Sequence, residues 1–265
     1  MTTAPADYFS PKAAGYAAFR PTYPPALFDF VAALAPRRAC AWDCATGSGQ
    51  AAVALAGHFA RVVATDASPA QLAHAAPHPR VTYRAAPAEA SGLPNASADL
   101  VVVAQALHWF DRDAFYAEAR RVLVPGGAVV VWSYGDAVLG AAGPADAALD
   151  AAFQHYAGEV LAPYWPPERR LVGEAYREIP FPFTEVAAPA FPMTRACTLA
   201  ELVGYVGTWS ATTQYVRATG RDPITGLERA LAPHWRDPER RVVVRWPLTV
   251  RAGHVAQDPP SPLSA

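Results

Sequence analysis

Between residues 39 and 134 the apolar positions fall in short runs separated by helically spaced stretches. This rhythm predicts strands near 39–44, 61–65, 81–85, 99–104 and 128–133, with helices near 49–59, 69–76 and 113–123. Leu100 to Val103 and Ala128 to Val131 are continuous apolar runs, as expected of strands covered on both faces. Strand and helix in alternation predict an α/β, doubly wound, Rossmann-like fold around a mostly parallel, seven-stranded sheet. Ahead of it, residues 1–38 read as an N-terminal helical lid, with a turn at Arg20-Pro21-Thr22-Tyr23-Pro24-Pro25 and a helix through Phe28, Val31 and Leu34. After Tyr134 the rhythm changes. Ala145 to Leu161 and Leu199 to Thr219 look helical, Phe183 to Thr198 looks extended, and 240–254 reads as a terminal strand. Pro247 inside that last stretch implies a bulge, an edge or two separate strands. The expected division is a lid at 1–38, a core at 39–135, a helical cap with terminal strands at 136–254, and a flexible tail at 255–265.

Composition narrows the classes. The chain has 265 residues, 52% of them hydrophobic and 17% charged, which is enough apolar material for a sizeable core. A net charge of −1 with no basic block gives no electrostatic reason to expect nucleic acid. The amino end lacks an apolar signal-like stretch, and no run of roughly eighteen apolar residues suggests a membrane span. Cys40, Cys44 and Cys197 are an odd set without metal-like spacing, so buried thiols in a reducing compartment and no metal are expected. The expectation is a cytoplasmic protein; its oligomeric state is unknown from sequence.

The chemistry concentrates in Ala41-Trp42-Asp43-Cys44-Ala45-Thr46-Gly47-Ser48-Gly49-Gln50, followed by Val62-Val63-Ala64-Thr65-Asp66-Ala67-Ser68. This reads as a strand end, a small-residue turn, a helix, and a second strand ending in an acid. Such an arrangement lets a main chain approach a nucleoside while the later carboxylate grips the ribose hydroxyls. The turn has no lysine, which suits a ligand without phosphate and favours S-adenosylmethionine over a dinucleotide. Gly47 and Gly49 would lie against its methionine part, Asp43 would bind the ammonium group or orient the loop, and Asp66 would accept from both ribose hydroxyls. The plainer alternatives are a tight turn without ligand for the glycines and helix capping ahead of Ser68-Pro69 for Asp66.

Beyond the fourth strand, His108 is a candidate general base or substrate contact and Trp109 a candidate wall of the reaction cavity. The alternatives are a hydrogen bond from His108 to a neighbouring loop and simple packing for Trp109. Arg20 and Tyr23 are candidates to close over the ligands, against a rigid proline turn with a solvated arginine. Trp209 is a candidate pocket residue, against ordinary core. Arg20, Arg195 and Arg217 are candidate clamps for a carboxylate acceptor.

The core resembles the class I S-adenosylmethionine-dependent methyltransferases of the methyltransferase type 11 kind. The marks are Asp43-Cys44-Ala45-Thr46-Gly47-Ser48-Gly49-Gln50, Ala88-Glu89, Asp99-Leu100-Val101-Val102-Val103, Ala104-Gln105-Ala106-Leu107-His108-Trp109-Phe110 and Leu123-Val124-Pro125-Gly126-Gly127. Phe19-Arg20-Pro21-Thr22-Tyr23-Pro24 and Thr208-Trp209-Ser210-Ala211 resemble the branch that includes trans-aconitate methyltransferases. The resemblance implies a cofactor set of Asp43, Thr46, Gly47, Gly49, Gln50, Asp66, Ala67, Ala88, Glu89 and Gln105. Ala67 would flank adenine, Ala88 and Glu89 would meet its edge, and Gln105 would line the methionine side. Ala45 stands where the first glycine of the usual triplet would be, and Pro87 where an acid often binds the adenine amino group. The implied activity is methyl transfer to an oxygen or nitrogen of a small molecule, carboxylates included, without nucleic acid or membrane. An NAD-dependent oxidoreductase, a non-catalytic cofactor binder, and an RNA or protein acceptor are the competing readings.

Overall fold

The computed structural model describes residues 19–140 and 144–255; the first 18 residues of the expected lid and nearly all of the expected tail lie outside the described residues. The strands are β1 (Cys40–Cys44), β2 (Arg61–Asp66), β3 (Val81–Ala85), β4 (Ala98–Ala104), β5 (Leu123–Tyr134), β6 (Val138–Leu139), β7 (Thr184–Val186), β8 (Thr194–Cys197), β9 (Val242–Arg245) and β10 (Leu248–His254). They form a seven-stranded sheet of order β3-β2-β1-β4-β5-β10-β7 and a three-stranded sheet of order β6-β9-β8. In the larger sheet β1 to β5 are parallel neighbours, while β7 runs antiparallel to β10. The mostly parallel seven-stranded α/β sheet is therefore as the sequence pattern predicts.

The chain divides into two compact units. One comprises Pro24–Ser133, Tyr176–Phe191 and the described part of Thr249–Ala265; the other comprises the described part of Met1–Tyr23, Tyr134–Ala175 and Pro192–Leu248. The expected boundaries differ in two places. Helix Pro25–Ala33, grouped with the lid by its sequence position, belongs with the larger sheet, where Phe28 meets Trp132 edge-on at 6.2 Å. Segment 176–191 also joins the sheet unit, because β7 pairs with β10 and the Tyr116 hydroxyl donates to the Pro180 carbonyl at 2.8 Å.

In the sheet unit β1 is buried along its whole length. Its entry is set by Asp99, which is 1% exposed and accepts the Ala39 and Cys40 amides at 2.9 Å and Arg37 Nε at 3.0 Å. Its exit is tied to β2 by the buried Trp42 indole, which donates to Thr65 Oγ1 at 2.9 Å. Register places Asp43 opposite Ala64 and Val102, and Cys44 opposite Thr65 and Val103, so β1, β2 and β4 end together. Strand order reverses between β1 and β4, and the carboxyl edge at such a reversal is where open α/β sheets bind ligands.

The helices after β1 and β2 are shorter than the pattern predicts, Gln50–Leu55 and Pro69–Leu72. The second stops early because the Ala76 amide donates to the Ser48 carbonyl at 3.1 Å instead of continuing the helix. Helix Arg112–Val122 lies within one residue of expectation and is capped by Asp111, whose carboxylate accepts the Ala114 amide.

The second unit packs Trp209, Trp235, Trp246, Phe153 and Tyr205 into one core with apolar residues of its helices. The expected single helix at 199–219 is two, Leu199–Gly207 and Ser210–Thr219, because Trp209 adopts an extended backbone and caps the second. Pro247 separates two strands: β9 lies in the small sheet and β10 in the large one. Helix Ile224–Trp235 is absent from the sequence expectation, although Ile224, Leu227, Leu231 and Trp235 share helical spacing; Pro233 inside its last turn masks that signal. The three cysteines are buried free thiols, and no helix among the described residues is long and apolar enough to cross a membrane.

An ion-pair network centred on the buried Glu118 carboxylate and the exposed Arg121 fastens the loop before β4. Glu118 accepts the Ser91 amide and hydroxyl and both Nε and Nη2 of Arg121, which itself donates to Leu93 O and Asn95 Oδ1. The Arg121 hydrogen bonds, followed by those of Ser91, lower the Glu118 pKa from 4.5 to about 2. A folded-state pKa below the unfolded one stabilises above pH 4.5 and is lost as pH falls toward about 2. Thermal melts from pH 7 to pH 2 are expected to lose stability across that window, and Glu118→Gln should flatten the fall.

Candidate functional site

The site is built on a turn that no ordinary L-residue favours. After β1 the chain passes through Ala45 at φ 56°, Gly47 at φ 55° and Gly49 at φ 81°, all in the left-handed region. After β4, Gln105 is also left-handed, at φ 59°, with its amide donating to Trp132 O at 2.9 Å. The two non-glycine residues so held, Ala45 and Gln105, follow directly on the two strands that flank the topological reversal. Sparsely populated backbone persists only where surrounding structure fixes it, and it concentrates at ligand sites.

Hydrogen bonds do the fixing. The Thr46 amide donates to Thr65 O at 2.9 Å, the Gly47 amide to Asp66 Oδ2 at 2.8 Å, and the Gly49 amide to Thr46 O at 2.9 Å. The other Asp66 oxygen, Oδ1, accepts the Ser68 amide at 2.8 Å. Asp66 is thus a loop anchor that also accepts the Ser68 amide, while the helix cap weighed for it as the plain alternative falls to Ser68, whose Oγ accepts the Gln71 amide at 3.3 Å. Each carboxylate oxygen offers two acceptor positions, so two remain for a ligand. Burial raises the Asp66 pKa, against the lowering effect of the Ser68 and Gly47 amides.

Asp43 is 0% exposed. Thr46 Oγ1 donates to its Oδ2 at 2.5 Å, whereas Oδ1 is a buried acceptor with no hydrogen bond of sound geometry. Burial pushes its pKa up to about 7, opposed by the Thr46 hydroxyl and the nearby Ala52 amide and reinforced by Asp66. A buried acceptor lacking a donor costs about 1–3 kcal/mol, so the position suits a ligand that brings a cation or donor.

The structure brings Asp43, Thr46, Gly47 and Asp66 together. Gln50 begins the helix beyond the turn, Ala67 is exposed beside Asp66, and Ala88 is buried. Glu89 Oε1 accepts the Asp111 amide at 3.1 Å. Gly49 departs from expectation: a Cβ there would stand 2.2 Å from Tyr83 Oη, so the phenol, not open space for a ligand, occupies its bare face. At Gly47 the nearest atom to such a Cβ is Gln71 Oε1 at 4.0 Å.

His108, 7% exposed, sits in the short 3₁₀ turn Leu107–Trp109 with its ring 4.7 Å from that of Trp109. Its Nδ1 lies 2.8 Å from the Tyr176 hydroxyl, the neighbouring-loop hydrogen bond weighed for it from sequence. Ala175 and Tyr176 are both left-handed at φ 55°, and Arg251 donates to the carbonyls of Tyr176 and Ile179. Tyr176 was missed in the sequence because it belongs to no motif and lies 68 residues from His108.

The remaining acceptor-side candidates belong to the other unit. Arg20 donates to the Tyr134 hydroxyl at 2.9 Å and the Thr208 carbonyl at 3.2 Å, and it stacks over Tyr205. This joins the two segments that resemble the trans-aconitate branch and replaces the solvated arginine weighed as the plain alternative. Tyr23 is partly buried beside Tyr134. Trp209 is 3% exposed between Phe153, Trp165 and Tyr205, which corrects its assignment as a pocket residue: it is core. Arg195 lies on edge strand β8, and Arg217 is exposed on helix Ser210–Thr219.

Because Ala45 has the only side chain among the three left-handed positions of the turn, Ala45→Gly should stabilise the fold by about 0.5–1 kcal/mol. Urea unfolding of the two proteins measures this directly.

Comparison with known proteins agrees with this geometry. A family model described as a methyltransferase domain matches residues 42–131, which contain the turn, Asp66, Gln105 and His108. A Dictyostelium discoideum protein provisionally named a methyltransferase is 31% identical over 226 residues, covering 85% of each chain. A Mycobacterium tuberculosis protein named as a methyltransferase is 36% identical over 134 residues, 50% of this chain and 54% of the relative. A solved structure from Anaeromyxobacter dehalogenans, provisionally named a type II methyltransferase, is 44% identical with a TM-score of 0.82. It covers 91% of this chain and 100% of its own. These relatives set aside the dinucleotide oxidoreductase reading, and the chain belongs to the class I S-adenosylmethionine-dependent methyltransferases.

Proposed function

We propose that the protein methylates an oxygen or nitrogen of a small-molecule acceptor, carboxylates included, with the β1 turn and Asp66 holding the donor. The observation that carries the donor site is the pair of acids at one sheet edge. Asp66 keeps acceptor capacity after anchoring Gly47 and Ser68, and Asp43 Oδ1 is buried without a donor. Asp66 would take the ribose hydroxyls and Asp43 the ammonium group. Gly47 would lie along the methionine part, with Thr46 and Gln50 beside it and Gln105 on its far side. Ala67, Ala88 and Glu89 would border the adenine. When bound, S-adenosylmethionine supplies a methyl group whose bond to the sulfonium breaks as an acceptor lone pair bonds to the carbon, sulfur keeping the electron pair.

The chain's part is placement and, for some acceptors, proton removal. A carboxylate reaches the site already ionised and needs no base. A phenol, alcohol or protonated nitrogen gains from an imidazole held in a fixed orientation, and the Tyr176 hydroxyl supplies that orientation for His108. Trp109, its ring tilted against that of His108, would wall the transfer space. Arg20 and Tyr23 would act on the acceptor side indirectly, through the Tyr134 and Thr208 contacts that hold them. The charge of −1 argues against an RNA acceptor.

The function is tested by incubating the protein with methyl-labelled S-adenosylmethionine and a panel of hydroxyl, amine and carboxylate compounds. Transfer to at least one is expected. His108→Gln should lower turnover by about 10²-fold or more for hydroxyl acceptors while sparing carboxylates. Donor binding without transfer across the panel would overturn the small-molecule reading. In calorimetry Asp66→Ala should weaken S-adenosylhomocysteine binding by about 10–100-fold, the loss of two hydrogen bonds; unchanged affinity would count against the ribose assignment.

Asp43 gives a pH signature. Its folded-state pKa is raised from 3.8 to about 7, so the folded protein holds a proton that the unfolded chain releases, and ligand-free stability falls as pH rises across that interval. An ammonium ligand selects the ionised carboxylate. Affinity should therefore rise with pH up to about 7 and level off above it, and Asp43→Asn should abolish the rise.

A further inference from the structure

We infer that Tyr83 is a positioning residue for the donor loop, holding the turn at Ser48-Gly49 in its binding conformation. The inference rests on the donor-site reading above. Tyr83 lies on β3, opposite Ala64 of β2, and β2 separates β3 from β1. Its hydroxyl donates to the Ala76 carbonyl at 2.6 Å, and the Ala76 amide donates to the Ser48 carbonyl at 3.1 Å. The phenol is thus one hydrogen-bonded residue removed from the turn. It also packs against the turn directly: a Cβ on Gly49 would meet its Oη at 2.2 Å, Cζ at 3.0 Å and Cε1 at 3.1 Å.

The turn is therefore tied from two directions. Thr46 and Gly47 are bound to the end of β2 through Thr65 and Asp66. Among the described residues, Ser48 is tied to β3 through the Ala76 segment that Tyr83 fastens, and Gly49 lies directly against the Tyr83 phenol. Burial first, and the Asp43 carboxyl second, raise the phenol's pKa, so the hydroxyl remains a donor throughout the neutral range. The requirement for glycine at 49 follows from this packing together with the left-handed backbone. At 47, where a Cβ meets nothing closer than 4.0 Å, only the backbone conformation requires glycine.

The test is a double-mutant cycle on the full chain with S-adenosylhomocysteine as probe, read by calorimetry on folded protein and by a separate thermal melt. Tyr83→Phe should weaken binding by about threefold to tenfold, because the Ala76 tie is lost while the ring remains. Gly49→Ala should weaken it more than about tenfold in the native background, but by less than about threefold beside Tyr83→Val. The strain of φ 81° is common to both backgrounds, so the difference between them reports the phenol. If Tyr83→Val fails to fold, amide exchange at Ala76 in Tyr83→Phe takes its place and should accelerate. Equal losses in both backgrounds, or a Tyr83→Phe protein with native affinity and native Ala76 exchange, would overturn the inference while leaving the donor site standing. A native protein that does not bind the probe would overturn both.

Discussion

The hydrogen bond from the Gly47 amide to the Asp66 carboxylate is the tie that makes a site out of two strand ends. It exists because parallel register brings the ends of β1 and β2 level and because left-handed residues let the chain double back over β2. Move the register by one residue and the amide faces the other side of the sheet. The buried Trp42–Thr65 bond holds β1 against β2, and the clamp from Asp99 of β4 fixes the start of β1 against β4. Structural residues well away from the ligand edge thus determine where the acid points.

The carboxyl groups of this unit show how environment assigns roles. Glu118 is buried with an arginine and two serine donors, so it stays ionised and serves as a fastening. Asp43 is buried with one hydroxyl and no cation, so its charge is suppressed until something supplies one. Asp66 lies between these cases, partly exposed, with two amides and capacity to spare. The acid that the fold leaves least satisfied is the one best placed to recognise a positively charged group.

Much of this was legible in the sequence, for identifiable reasons. Continuous apolar runs locate β4 and β5, because burial on both faces leaves a plain hydrophobic signature; the edge strand β3, which is largely open to solvent, also falls at its predicted residues. The turn and Asp66 were legible because glycine and a paired acid at strand ends are local features. Partnerships made through space were not. Tyr83 and Tyr176 carry no local mark, and each acts on a residue that only the folded sheet or a crossing loop brings near. Trp209 looked like a pocket residue because aromatics serve both cores and sites; neighbours on every side decide for core. The second sheet escaped notice because β6, β8 and β9 are two to four residues long and β9 runs almost directly into β10 through Pro247.

The central claim is that the bent main chain after β1 and the Asp66 carboxylate together grip the donor. A crystal structure of the full chain with S-adenosylhomocysteine tests it most directly. It should show both ribose hydroxyls within about 3 Å of the Asp66 oxygens, with Gly47 still bound to that carboxylate and the ligand's ammonium group on Asp43. A ligand seated elsewhere, or an Asp66 side chain that contacts only Gly47 and Ser68 in the complex, would contradict the account.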